Sequence, residues 1–138
     1  MITKKIYAVI DTNVLVSAML SKHSDSATVR VINLFFENKI VPLVNEEILK
    51  EYNDVLHRKK FHFPEDLINT ILQEIRLRGI MLDRTKSTLE FPDPKDVVFY
   101  EVALSKDGSF LVTGNTKHFP STPIVVTPAE FLKICSAL

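Results

Sequence analysis

Neither sign of charge predominates in this chain. Lys and Arg together number 17, and so do Asp and Glu. The basic excess by which many proteins hold nucleic acid through bulk charge is therefore missing, and any such role has to rest on a local site. Cysteine is almost absent. Cys135 is the only one, which excludes an intrachain disulfide and a cysteine-built zinc cluster and fits a reducing cytoplasm. No apolar run approaches a membrane span and no signal peptide is apparent, so a cytoplasmic protein with no membrane partner is expected. Internal repeats and low-complexity linkers are also missing. What is there is ordinary globular material: 138 residues, 46% apolar and 25% charged, expected to form one domain over 1–138.

After a lead-in over Met1–Lys5, the run Ile6–Ile10 reads as a central strand covered on both faces, ending abruptly at Asp11. Thr12 or Asn13 is expected to cap a helix reaching about Leu20. A second helix is expected from Ser26 to about Glu37, and Lys39–Val44 reads as a strand whose Pro42 argues against the sheet centre. Asn45 reads as the cap of a helix running to about Arg58. Pro64 and Glu65 open another that turns Leu67, Ile68, Ile71, Leu72 and Ile75 inward, with Gly79 as its C′ residue. Ile80–Leu82 is a short strand candidate, and Arg84–Pro94 a loop. The helix beginning at Asp96 is apolar nearly all round and therefore expected to be buried. Strands at Phe110–Thr113 and Ile124–Val126 follow, separated by a polar turn, Gly114–Pro120. Thr127-Pro128-Ala129-Glu130 is a capping box that opens the last helix. Helices separating short β-branched strands predict a mainly parallel sheet of four to five strands sandwiched by helices, with the strand C-termini along one edge.

Asp11 and Asn115 each follow a strand at that edge, and Asp96 opens a helix that feeds the Asn115 strand. At about 100° per residue, Glu51 sits at the border of its helix's apolar sector and reaches further in than Glu47. Acidic and amide oxygens gathered without His or Cys suit Mg²⁺ or Mn²⁺, with Asp11, Glu51 and Asp96 converging on a shared point. Each residue also has a structural use that stays open: Asp11 and Asp96 as helix caps, Glu51 as a surface charge, Asp93 and Asn115 as turn residues, and His118 as a surface or structural group. Arg58-Lys59-Lys60 reads as a solvated helix end or as a phosphate contact.

Together these residues resemble the PIN-domain ribonucleases, and more narrowly the group known as toxin components of toxin–antitoxin systems. The resemblance is carried by Asp11-Thr12-Asn13-Val14-Leu15-Val16-Ser17, by Glu46–Tyr52 with Val55-Leu56, and by Asp93-Pro94-Lys95-Asp96. Leu111–Asn115 with Lys117-His118-Phe119, and Thr127–Phe131, complete it. It implies a three-layer α/β/α sandwich and a Mg²⁺- or Mn²⁺-dependent endoribonuclease that attacks RNA with a metal-activated water. Asp11, Glu51 and Asp96 match the family's acids, with Asp93 and Asn115 as further metal-site residues. Asn115 stands where many members carry a fourth acid, which removes one negative charge. The resemblance further implies Asn13, Ser17 and Thr113 lining the site, Lys117, Arg58 and Lys59 near phosphates, and as partners RNA, a small antitoxin and a second copy of the chain. The competing expectation is a PIN-like scaffold that binds RNA or protein with little catalysis. A receiver-type phosphoacceptor would want an acidic pair where Asp11-Thr12 stands, and a haloacid-type phosphatase a second aspartate where Asn13 stands.

Overall fold

The computed structural model describes residues 5–137; residues 1–4 of the lead-in, and residue 138, lie outside the described residues. The chain runs β1 (Ile6–Ile10), α1 (Thr12–Leu20), α2 (Ala27–Phe36), β2 (Ile40–Val44), α3 (Glu46–Leu56) and α4 (Glu65–Arg78). It continues with β3 (Ile80–Met81), α5 (Val97–Leu104), β4 (Phe110–Val112), β5 (Val125–Val126) and α6 (Pro128–Ser136). The strands form one five-stranded sheet in the order β3-β2-β1-β4-β5, and all four neighbouring pairs are parallel. Helices pack on this sheet and on each other, with α2 and α4 against β2, and α5 against β1, β2 and β4. This is the α/β sandwich expected.

The strands β1 and β2 are apolar on both faces because helices cover both. Ala8, Val9, Leu43 and Val44 have no exposed surface, as continuous rather than alternating apolar runs require. Chain connections leave β1 toward β2 and β3, then return across the sheet through α5 to β4 on its other side. The order therefore reverses beside β1, and the crevice outside the carboxyl ends of β1 and β4 is where such sheets place their sites. The Asp11 N–H donates to Val112 O at 2.9 Å, which registers those two ends against each other.

Several local expectations need correction. Asp11, not Thr12 or Asn13, is the N-cap residue of α1, without a side-chain cap bond. Thr12 and Asn13 do not cap because their side chains are engaged elsewhere, Thr12 with Glu51 and Asn13 with Asp11 and the Gly114 N–H. The Pro42 expectation holds: β2 lies off the sheet centre, one in from the edge, and β3 joins it only at Leu43 and Val44, beyond the proline, so the missing N–H interrupts nothing there. Leu67 points outward, 43% exposed, while Ile68, Ile71 and Ile75 bury the inner stripe of α4. Gly79 follows the last residue of α4, as expected, with an extended backbone (φ −84°). A Cβ there would lie 2.6 Å from Ile75 O and 2.9 Å from Pro42 O, so the glycine permits close backbone approach between α4 and β2. Asp96 ends a single 3₁₀ turn (Pro94–Asp96) before α5 and makes no side-chain cap bond; Asp93 does the capping, accepting from Lys95 N–H at 2.9 Å. The capping box at Thr127 and Glu130 forms as read.

Candidate active site

The crevice is an open cavity of about 720 Å³. Its lining includes Asp11, Glu51, Asp93, Asp96 and Asn115, together with Asn13, Ser17 and Arg58. Of the residues singled out from sequence, Lys59 and Lys117 do not line it. Both are exposed, in the 3₁₀ turns Lys59–Phe61 and Thr116–His118. Thr113 is fully buried behind the floor.

Asp11 is the most constrained acid. It is 6% exposed, and its Oδ2 accepts from Thr113 Oγ1 at 2.7 Å and from Asn13 Nδ2 at 3.2 Å. Asn13 Oδ1 in turn accepts from Gly114 N–H at 3.2 Å, and the Asn115 N–H donates to Thr113 Oγ1 at 3.0 Å. The first turn of α1 is thus stitched to the residues leaving β4. Burial pushes the Asp11 pKa up to about 6 against the pull of the Thr113 hydrogen bond, and the charges of Asp96 and Glu51 push the same way.

Glu51 is placed by α3, whose apolar residues Ile48, Leu49, Tyr52 and Leu56 are buried. Glu51 stays at the border of that stripe, and its Oε2 accepts from Thr12 Oγ1 in a short hydrogen bond. Buried Tyr52, one residue on, donates its hydroxyl to Ile10 O, the last carbonyl of β1. That contact ties α3 to the strand end that carries Asp11.

Asp96 is half-buried. Burial raises its pKa, and the neighbouring Asp93 charge adds to it. Its Oδ2 is out of solvent with no hydrogen-bond partner, 3.4 Å from His118 Nδ1. Asn115 Nδ2 lies 3.3 Å from His118 Nε2. Thr12, His118 and Phe61, with Val16, Leu20, Ser21 and Val55, are the lining residues that the sequence did not assign to the site. Thr12 carried only the signature of a cap. His118 and Phe61 ride on one-turn segments with no periodicity to reveal them.

The expected convergence of Asp11, Glu51 and Asp96 on one point is not seen. Among the described residues, no three His, Cys, Asp or Glu side chains are gathered closely enough to hold a metal ion. The physical reason is on view. Like charges in one cleft repel, and each carboxylate has a separate neighbour: Thr113 and Asn13, Thr12, or His118. The donor chemistry nonetheless fits a hard divalent cation. It is all oxygen, it carries an excess of acid, and the buried Asp96 Oδ2 has only His118 Nδ1, 3.4 Å away, beside it.

Among the described residues, no helix is long and apolar enough to cross a membrane. No curated protein matches the chain. The sequence profile of the PIN domain matches residues 7–117, a span that opens in β1, takes in Asp11, Glu51, Asp93, Asp96 and Asn115, and closes just past β4. With the parallel sheet and the acidic crevice at its reversal point, that match assigns the chain to the PIN domain family.

Proposed function

We propose that the protein is a Mg²⁺- or Mn²⁺-dependent endoribonuclease working in this crevice. The observation that carries the reading is the lining of one cavity by Asp11, Glu51, Asp93 and Asp96, with Asp96 Oδ2 out of solvent and only His118 Nδ1 near it, at 3.4 Å. A bound cation would neutralise the phosphodiester charge and make water acidic enough to attack near neutral pH. Asp11 and Asp96 are its nearest ligands on this reading, with Glu51 binding directly or through water and Asp93 and Asn115 as outer oxygens.

The rest of the work falls to positioning. Thr113 and Asn13 hold Asp11 Oδ2, and Thr12 holds Glu51 Oε2. These bonds engage one oxygen of each acid, Asp11 Oδ2 and Glu51 Oε2, and the Thr12 backbone N–H also favours the Asp11 charge. Ser17 lines the cavity one turn along α1 from Asn13. Arg58 reaches phosphate from the far wall, with Lys59 and Lys117 assisting from outside. Attack by water on phosphorus with departure of the 3′ oxygen leaves a 5′-phosphate and a 3′-hydroxyl. A 2′,3′-cyclic phosphate product would reject that course.

The test is cleavage of a mixed RNA panel in Mg²⁺ and in Mn²⁺ by the wild type and by Asp11→Asn. Cation-dependent cleavage by the wild type, lost by at least 100-fold in the variant, is expected. Equal activity in both rejects the assignment. The reading extends to a cytoplasmic toxin silenced by a small antitoxin in the cleft, with a second copy of the chain as a further partner. Growth arrest on expression of the wild type but not of Asp11→Asn checks the toxin role, and relief by a co-expressed neighbouring small protein checks the antitoxin. A second reading, a PIN-like RNA- or protein-binding module without strong catalysis, is favoured by Asn115 and by the spread of the acids. RNA binding without cleavage in either protein is its signature.

A further inference from the structure

The cavity is acidic at its sheet end alone. Along α3, Glu51 and Val55 lie one turn apart and both line it, and Arg58 joins them from two residues past the end of that helix. Along α1, Asn13, Val16 and Leu20 recur at helical spacing and line it too. At about 1.5 Å per residue, Val55 stands roughly 6 Å beyond Glu51, and Leu20 roughly 13 Å beyond Asp11. That far end is apolar. Val16, Leu20, Val55 and Phe61 face the cavity with Arg58 as the accompanying cation, and Leu20 remains 49% exposed.

Phe61 is held in place rather than left on a loose loop. Its N–H donates to Arg58 O at 3.1 Å and the His62 N–H to Lys59 O at 3.2 Å. His62 takes the left-handed conformation (φ 56°), and the reversal stacks Phe61 on Phe63 with centroids 5.5 Å apart and planes at 18°. Lys60 Nζ sits 5.1 Å from the Phe61 centroid. His57 bridges the segment's two ends, Nδ1 at 2.7 Å from Asn53 O and Nε2 at 2.7 Å from Glu65 Oε2. A fixed aromatic ring flanked by Arg58 and Lys60 has the parts of a stacking platform for single-stranded nucleic acid.

We propose that Val16, Leu20, Val55 and Phe61 form a base subsite, in which an unpaired base near the scissile phosphate stacks on Phe61 while Arg58 holds its phosphate. This rests on the nuclease reading above and narrows its substrate to RNA unpaired at that position, because a base in a duplex already has both faces covered by its neighbours.

The test is binding of a short fluorescent single-stranded RNA, intact and with abasic sites, and of the same sequence as a duplex. It is done in the Asp11→Asn background so that cleavage does not interfere. Phe61→Leu keeps the apolar bulk that packs on the core and removes the ring face; Phe61→Trp restores a face. The expected result is roughly tenfold weaker single-strand binding for Phe61→Leu, recovery with Phe61→Trp, and weak, Phe61-independent binding of the abasic strand and the duplex. An unchanged Tm in Phe61→Leu attributes the loss to binding. Equal affinity of the Phe61 and Leu proteins for the intact strand overturns the subsite, as it would if the slot served a protein side chain. Tight binding of the abasic strand by the Phe61 protein overturns it too. The two readings fail separately. Phe61-dependent binding alongside a wild type that cleaves nothing keeps the subsite and rejects the nuclease. Wild-type cleavage that Phe61→Leu leaves unaltered does the reverse.

Discussion

Asp11 is held in a place that penalises its charge. Its pKa stands at about 6 in the folded chain against 3.8 for the free group, raised first by burial. A carboxyl whose folded pKa is raised adds no penalty while protonated in both states. It costs stability progressively as pH climbs from about 4 to about 6, and fully above that. The cost is about 3 kcal/mol at neutral pH. Asp11→Asn removes it. Urea unfolding in chelator should find the variant more stable than the wild type at pH 7.5, by up to about 3 kcal/mol. The difference should shrink by that amount as pH falls to 4. Millimolar Mg²⁺ should stabilise the wild type above pH 6 and leave the variant unmoved, because only the wild type presents the charge a cation would bind. A variant less stable than the wild type at every pH would show that hydrogen bonding by the carboxylate outweighs its desolvation. Asp11 is legible in the sequence because a carboxylate ending the apolar run Ile6–Ile10 has few places to be. His118 and Phe61 are not, because what makes them matter is the path of two short turns set by tertiary contacts.

At the scale of elements, two tethers decide whether the crevice is assembled. The first is the segment between β3 and α5, which delivers Asp93 and Asp96. It is fastened to α5 through Glu101, only 5% exposed. Arg84 Nε donates to Glu101 Oε1 at 2.8 Å and the Ser87 N–H to Oε2. Burial works to raise the Glu101 pKa, but those bonds and the guanidinium charge outweigh it and hold the carboxyl below its usual range. Arg84→Ala strips this buried acid of its cation and should cost about 2–3 kcal/mol in denaturant unfolding. The second is Gly79, between α4 and β3. Its φ would suit any residue, so backbone freedom is not the issue; the carbonyls of Ile75 and Pro42 leave no room for a Cβ. Gly79→Ala should therefore destabilise by about 1–3 kcal/mol, although alanine normally stabilises an allowed site. A stabilised variant would refute the close approach. Strands and caps are readable from β-branched runs and from Asn45 or Thr127 because their causes are local. Glu101 is hidden inside an apolar helical stretch, and Gly79 looks like any helix terminator, because the partners that give them meaning are distant in sequence.

For the whole molecule, the balance of 17 basic against 17 acidic residues sets how RNA is met. With no net field to draw a polyanion in, and with acids on the crevice floor, affinity has to come from a few placed contacts. Arg58 lines the cavity, and Lys59 and Lys60 follow it in an exposed turn. Phosphate contacts on single strands contribute about 0.7 each to the slope of log affinity against log salt. With about three such contacts, the slope should be about −2, far shallower than for proteins that hold nucleic acid by charge. Arg58→Gln should flatten it by about 0.7, while Phe61→Leu should lower affinity without altering it, since stacking releases no counterions. Titrations of single-stranded RNA between 50 and 300 mM salt, on the order of the usual working range, separate the two effects. A steep slope unaffected by Arg58→Gln would mean that RNA lies across a basic surface other than the crevice.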